Sequence, residues 1–380
     1  MNKFNRIIFA LISVIAVSLA FWSCTKSATT DSANSNNPTV TGTAGVFQGA
    51  GSKWKATFTT TDFVLEYFLT ATAPTADMTV NGTYVEYTSG FRLLTVTTAT
   101  GTNAPTAGSQ AYGFNIPGFA FLLKPIGNSD DEIIVMLDGA SCPASGGTFN
   151  ANWIIAKFDN ATTLQDTKDV FGTAVFDMST PASSDATITQ FSAQTATNLG
   201  TNVMPFDYTT CANGILSFTV PASSPLETVD MFFTANGGAL VHSHDTATHD
   251  SLIFAAPKHT GDVTQTDLAG TYSVLVFDSD SSGDKVFPAK LTIPTSGDAT
   301  ANRITDVATD ALDTNPITIG NFTAKAGTNG IFTAAIDPTG DNGRLNCTHF
   351  TLSSKKSIVC NGYGSASGSL LPFFFLARER

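Results

Sequence analysis

The residues best placed to do chemistry in this sequence lie in one stretch, "VHSHDTATHD" (241–250), which holds three of the chain's five histidines. In an extended strand, alternate side chains share a face, so His242 and His244 point the same way. A four-residue turn at Asp245–Thr248 would then set His249 opposite His244 on that face. Three imidazoles on adjacent strands are the ligand set of an open zinc site, with the fourth position left to water. Asp245 or Asp250 would serve as an oxygen ligand or as an acceptor for a ring N–H. The competing reading is a polar hairpin tip with solvated histidines. The Asn-Gly turn in "FTANGG" (233–238) favours it, because a two-residue turn there puts His242 opposite Met231 and His244 opposite Val229. Neither neighbour is a ligand or a general base, and catalysis is not expected.

A second candidate is "DSDSSGDK" (278–285). It resembles the opening of a calcium-binding loop, with Asp278, Asp280 and Ser282 at alternate positions and Gly283 at the sixth. The twelfth position, where a bidentate Glu belongs, is Ala289. A solvated hairpin loop is the expectation, and neither zinc nor calcium is a required cofactor. No Gly-x-Ser-x-Gly elbow and no phosphate-cradling Gly-x-x-x-x-Gly-Lys occurs, so nothing points to a nucleophilic or nucleotide-dependent enzyme.

The cysteines give a different kind of chemistry. There are five, at 24, 142, 211, 347 and 360. In "CTHFTLSSKKSIVC" (347–360) the midpoint falls between Ser353 and Ser354, and a hairpin folded there puts Cys347 opposite Cys360, within disulfide reach. Cys142 and Cys211 pair by default. Two disulfides imply an oxidising compartment and leave Cys24 over.

Cys24 has its own explanation. Lys3 and Arg6 precede an apolar run from Ile7 to Phe21, interrupted only by Ser13 and Ser18. As a helix this run would rise about 22 Å, short of the roughly 30 Å hydrocarbon core, and so reads as a secretory leader. Its end, with Ser23 before Cys24, resembles the lipobox of bacterial lipoproteins. That resemblance implies a signal peptide over 1–23 and a diacylated Cys24 as the first mature residue. Ordinary cleavage after Ala20 is the alternative, but it leaves an odd thiol in an exported chain. Thr25 follows the cysteine where an Asp would favour inner-membrane retention, so the resemblance implies an outer-membrane anchor facing the periplasm or the cell surface.

Composition speaks against other classes. Without the leader the chain has 17 basic against 31 acidic residues, a surface that repels phosphate backbones and makes nucleic acid an improbable partner. Threonine occurs 57 times and glutamate five, against 26 aspartates. Thr suits half-exposed strands, Asp suits turns, and the better helix former is scarce, so the fold class is all-β.

The elements that must carry these residues follow. Thr25 to Ala44 is rich in Ser, Thr and Asn and forms, with Cys24, a flexible tether (24–44) whose r.m.s. span is about 25 Å. Beyond it, "KWKATFTT", "FVLEYFLT", "GTYVEYT", "FRLLTVTT", "FAFLLKPI" and "EIIVMLD" read as strands of antiparallel sandwiches or barrels. The remaining two-thirds is internally repeated. "GTFNANWIIAKFD" (147–159) parallels "GTYSVLVFDSD" (270–280), and "DVFGTA" (169–174) parallels "KVFPAK" (285–290). "NGILSF" (213–218) parallels "NGIFTA" (329–334), and "LIFAAPK" (252–258) parallels "FFFLARE" (373–379). The order is kept at offsets of roughly 120 residues, as tandem copies would leave it. The expected domains are therefore 45–141, 142–262 and 263–380, the third a duplicate of the second. "DLAGTYSVLVFD" (267–278), through Gly270 and Tyr272, faintly resembles the first strand of lipocalin-like barrels, which would imply a meander with an apolar interior.

Anchor, tether and repeated β-modules together lead to an expected function: a membrane-anchored envelope lipoprotein with a non-enzymatic role in surface display, adhesion or scaffolding. Its partners would be the membrane, through the lipid, and a protein, glycan or lipid ligand. The alternative is a carrier that holds a small apolar or lipid ligand inside a barrel, which the 29 phenylalanines would suit.

Overall fold

The structure, a computed structural model, describes residues 45–46, 53–69, 75–126, 134–137, 141–143, 147–157, 170–212, 214–220, 227–234, 237–245, 250–280, 283–337, 343–352, 354–366 and 369–380. The leader, Cys24, the tether and His249 lie outside these residues. The fold is all-β: among the described residues there are strands throughout, one four-residue helix (Gln265–Leu268) and two 3-10 turns. No helix among them is long and apolar enough to cross a membrane.

The strands are arranged as the same antiparallel meander three times. The first is a closed barrel of eight strands, each paired with the next, from Gly45–Val46 to Ile134–Leu137. Closure comes from Gly45 and Val46, which pair with Met136 and Val135. One of its strands, Gln110–Ile116, escapes a reading from alternation, because Gly113 interrupts the pattern. A side chain at 113 would clash with Phe121 and Leu94, whose atoms lie 2.7 and 2.8 Å from where its Cβ would sit.

The second meander also has eight strands, and its first (Thr148–Lys157) pairs with its last (Asp250–Pro257). It stays open at one seam, between Asn198–Phe206 and Ile215–Val220. The Phe206 and Phe218 rings stack across this seam at 5.8 Å. In the third, the circuit runs through Gly270–Asp280, Gly283–Ile293, Ala299–Asp306, Ile317–Ile319, Ile331–Ile336, Gly343–Leu352, Lys355–Ala366 and Ser369–Glu379. Each pairs with the next and the last pairs with the first. The four matched sequence segments fall on the first, second, fifth and eighth positions of their circuits.

Alternation in each strand builds two kinds of core. One face fills the interior of its own barrel, as with Trp54, Phe58, Phe63 and Leu65 in the first. Trp153, Phe176 and Met231 do the same in the second, and Tyr272, Phe332 and Phe375 in the third. The opposite face of selected strands is also apolar, and these faces meet in a shared centre. Phe114 and Phe119 come from the first barrel, Phe171 and Phe254 from the second, and Phe350 and Phe374 from the third. The sheets divide near 141 and 262, but Pro38–Arg380 packs as one compact unit because the outer walls bury one another.

Two registers also differ from expectation. His242 pairs with Asp230 and His244 with Thr228, not with Met231 and Val229. The turn has three residues rather than two: Thr234 N donates to Gly238 O at 2.8 Å, and Gly238 N donates back to the Thr234 hydroxyl at 2.9 Å. Gly237, at φ +84°, takes the left-handed position that such a loop requires. One extra loop residue slips the whole register by one. On the other side His244 pairs with Asp250. The calcium-like stretch is a tight hairpin: Asp280 pairs with Gly283 and Asp278 with Lys285, both within long strands.

Candidate functional site

The site with the most unusual chemistry lies at the mouth of the third barrel, under the linker that leads into it. Thr264 and Asp267 form a reciprocal cap: Thr264 N donates to Asp267 Oδ2 at 2.8 Å, and Asp267 N donates to Thr264 Oγ1 at 3.3 Å. That cap stabilises the single helical turn Gln265–Leu268. Val263 and Leu268 drop into the barrel's interior core, so the turn acts as a plug. Gln265 fastens it, with Nε2 donating to Gly297 O at 2.7 Å and Oε1 accepting from Phe322 N at 2.8 Å. From below, Tyr272 Oη donates to Leu268 O at 2.6 Å, and burial raises the pKa of this phenol.

His349 sits on the interior-facing side of strand Gly343–Leu352, following Leu345 and Cys347 on that face. It is 3% exposed, and neither ring nitrogen has a hydrogen-bond partner. The imidazole of His259, from the linker, lies 5.3 Å away between centroids, tilted by 58°. His259 is half-buried and its Nδ1 approaches Gly261 O at 3.4 Å. Burial, with the neighbouring His259 and Lys356, pushes the His349 pKa down to about 4, against a smaller upward pull from Asp267. The ring is therefore neutral at ordinary pH, with a lone pair to offer.

Gly330 allows this approach. It adopts φ +81°, and a Cβ there would lie 2.7 Å from His259 Cβ and 2.8 Å from Asn152 Nδ2. Its N–H donates to Gly261 O at 3.0 Å and its carbonyl accepts from His349 N at 3.2 Å, tying linker to strand. Asn152 Nδ2, from the second barrel, donates to Asn329 O at 2.7 Å beside it.

The predicted cysteine pairs are joined. Cys347 and Cys360 occupy paired positions in a hairpin whose strands end at Leu352 and begin at Lys355, with Ser354 at φ +65°. Cys142 is bridged to Cys211, at the end of the second barrel where its wall is open. There Gly214 N donates to Cys142 Sγ at 3.2 Å, and the Tyr208 hydroxyl donates to Pro143 O. His242 and His244 share the strand Ala239–Asp245, as expected from their spacing. Among the described residues, no group of three or more His, Cys, Asp or Glu is placed to hold a metal ion.

A second polar cluster joins the first and third barrels. Asp310 accepts a two-pronged contact from Arg380, at 2.5 and 2.8 Å, and a third bond from Lys290 at 3.2 Å. Those cations hold its carboxyl below the usual range. Arg378 donates to Asn115 O at 3.0 Å, and the Ser273 hydroxyl donates to Ser89 O. These contacts latch the walls to one another.

Sequence reasoning missed His259 and His349 as a pair. They are single histidines far apart in the chain, and only the plug over the third barrel brings them together.

No protein-family model and no curated protein matches the chain. Among solved structures, a protein of unknown function from the DUF3598 family of Nostoc punctiforme aligns over 62% of this chain and 95% of its own, at 13% identity and TM-score 0.23. The Helicobacter pylori β clamp aligns over 89% of this chain and 91% of its own, at 7% identity and TM-score 0.13. The Pseudomonas aeruginosa sliding clamp aligns over 90% and 92%, at 6% identity and TM-score 0.13. Likenesses at this level carry no argument about function.

Proposed function

We propose that this protein is an exported lipoprotein, anchored through Cys24 at the outer membrane, that works without catalysis by presenting its outer walls to a protein or glycan partner. The observation that carries this reading over carriage of a ligand is the filling of the barrels. In the first, the Phe58 and Phe121 rings pack 4.6 Å apart in the interior, tilted by 58°. Arg92, fully buried, lies over the Tyr84 ring at 4.9 Å and pairs with Glu86 at 3.1 Å. A ligand would have to displace these groups and leave a guanidinium without its partner, which is costly in a dry interior. The walls are different. Strand Asn198–Phe206 is exposed along most of its length, with Val203 62% exposed and Thr201 hydrogen-bonded to Thr189 at 3.1 Å. A Thr-lined, weakly charged wall suits a polar partner better than a membrane interior.

The test has two arms. Cys24→Ser should move the protein from the membrane fraction to the soluble one, and protease added to intact cells should remove the folded part of the wild type. Retention of the Cys24→Ser variant in the membrane would refute the anchor. Lipid recovered in stoichiometric amount from the purified protein would refute display in favour of carriage.

A further inference from the structure

The His259–His349 pair has a feature that neither packing nor display explains. A buried imidazole normally donates one ring N–H and accepts at the other nitrogen, and leaving a buried polar group without partners forfeits the hydration it had in water. His349 is buried beneath the plug with both nitrogens unpartnered, and the ring nearest to it is a second imidazole. The interior face it occupies is otherwise apolar, so an aromatic hydrocarbon ring would serve packing at no such cost.

We propose that His259 and His349 together bind one closed-shell first-row ion, cuprous copper, in the mouth of the third barrel. Two observations and the chemistry of the ion converge on it. The described residues offer two imidazoles here and no third ligand of the metal-binding types. Structural zinc asks for four ligands, whereas the cuprous ion, with a filled d shell and low charge, is satisfied by two. Imidazole is a suitable donor for copper. A proton on His259 Nδ1, shared with Gly261 O at 3.4 Å, leaves Nε2 as the nitrogen with a lone pair.

The surroundings fit a monovalent cation. Asp267, fixed in the helix cap, interacts electrostatically with both rings and supplies negative charge. A neighbouring cation, Lys356, is turned onto Ala269 O at 2.9 Å and Glu379 at 3.8 Å. His259 is half-buried, so an ion enters from its side of the linker without removal of the plug.

The experiment is a competition titration of the full chain, made without a polyhistidine tag, against a chromogenic cuprous chelator under argon. A background variant, His242→Asn with His244→Asn and His249→Asn, removes the other histidines. One cuprous ion per chain is expected in that background, with X-ray absorption showing imidazole nitrogen donors. His349→Phe and His259→Ala should each weaken binding by more than the roughly 10–100-fold that loss of a supporting outer contact costs. Should His349→Phe fail to fold, His259→Ala, in the linker, carries the test alone. Binding that is indifferent to His259→Ala, or that disappears in the background variant, overturns the proposal. So does zinc held in preference to copper by the same two residues.

Discussion

The ring of Phe119, from the first barrel, packs 4.8 Å from that of Phe350, from the third, while Phe254 of the second lies 6.4 Å from Phe119 on another side. All three barrels thus meet at one side chain. Gly238 makes room for it, since a Cβ there would come within 2.7 Å of the Phe119 ring.

Phe119→Ala should therefore destabilise the whole chain rather than one barrel. A fully buried Phe→Ala change costs about 3–5 kcal/mol. Calorimetry of the wild type should show one transition, and the variant should move all of it to lower temperature. A transition that splits, with two barrels melting as before, would contradict the shared core.

The disulfides should differ in weight. Cys142 and Cys211 are 69 residues apart and Cys347 and Cys360 only 13. Loop-closure entropy then gives about 4 kcal/mol for the first and about 3 for the second. The hairpin turn already holds Cys347 near Cys360, which lowers the second further. Cys142→Ala with Cys211→Ala should thus lower the denaturant midpoint more than Cys347→Ala with Cys360→Ala. Equal losses would show that chain entropy is not the dominant effect.

Asp310 gives a pH dependence whose sign can be worked out. Arg380 and Lys290 depress its folded-state pKa below the unfolded value near 3.9. Its contribution is then fully present above the unfolded pKa and is lost as pH falls through the folded one. Asp310→Asn should cost about 1 kcal/mol at neutral pH, in line with partly exposed ion pairs. The gap between wild type and variant should close at pH values below the normal carboxylate range. A gap that persists there would mean the loss is steric.

Gly330→Ala should be among the more damaging glycine substitutions. It combines a left-handed φ with a Cβ held against backbone and side chain of the linker and against Asn152. The conformational part alone costs about 1–2 kcal/mol, and the contacts with His259 add to it. Thermal melting should show a loss of about 2 kcal/mol or more, with hydrogen exchange rising first in the linker 258–269.

Much of this architecture was legible in the chain. The Thr-rich, Glu-poor composition and short alternating runs determine an all-β fold, because period-2 patterns bury one face only on a sheet. The bridge between Cys347 and Cys360 was equally legible, because the pairing of a hairpin depends on its turn and Ser353 and Ser354 mark that turn locally. The four repeated segments could be matched for the same reason: each is a strand whose pattern survives on its own. What only the tertiary structure decided lies where non-local contacts compete with local signals. The Thr234 hydroxyl closes a three-residue loop in place of the Asn-Gly turn, and one residue of slip takes His244 away from its expected neighbours. The apolar outer faces that fuse three barrels into one body look like ordinary strand residues until their partners are known. His259 and His349 carry no shared motif at all. They meet because Val263 and Leu268 bury themselves in the third barrel, and that burial draws the linker across its mouth.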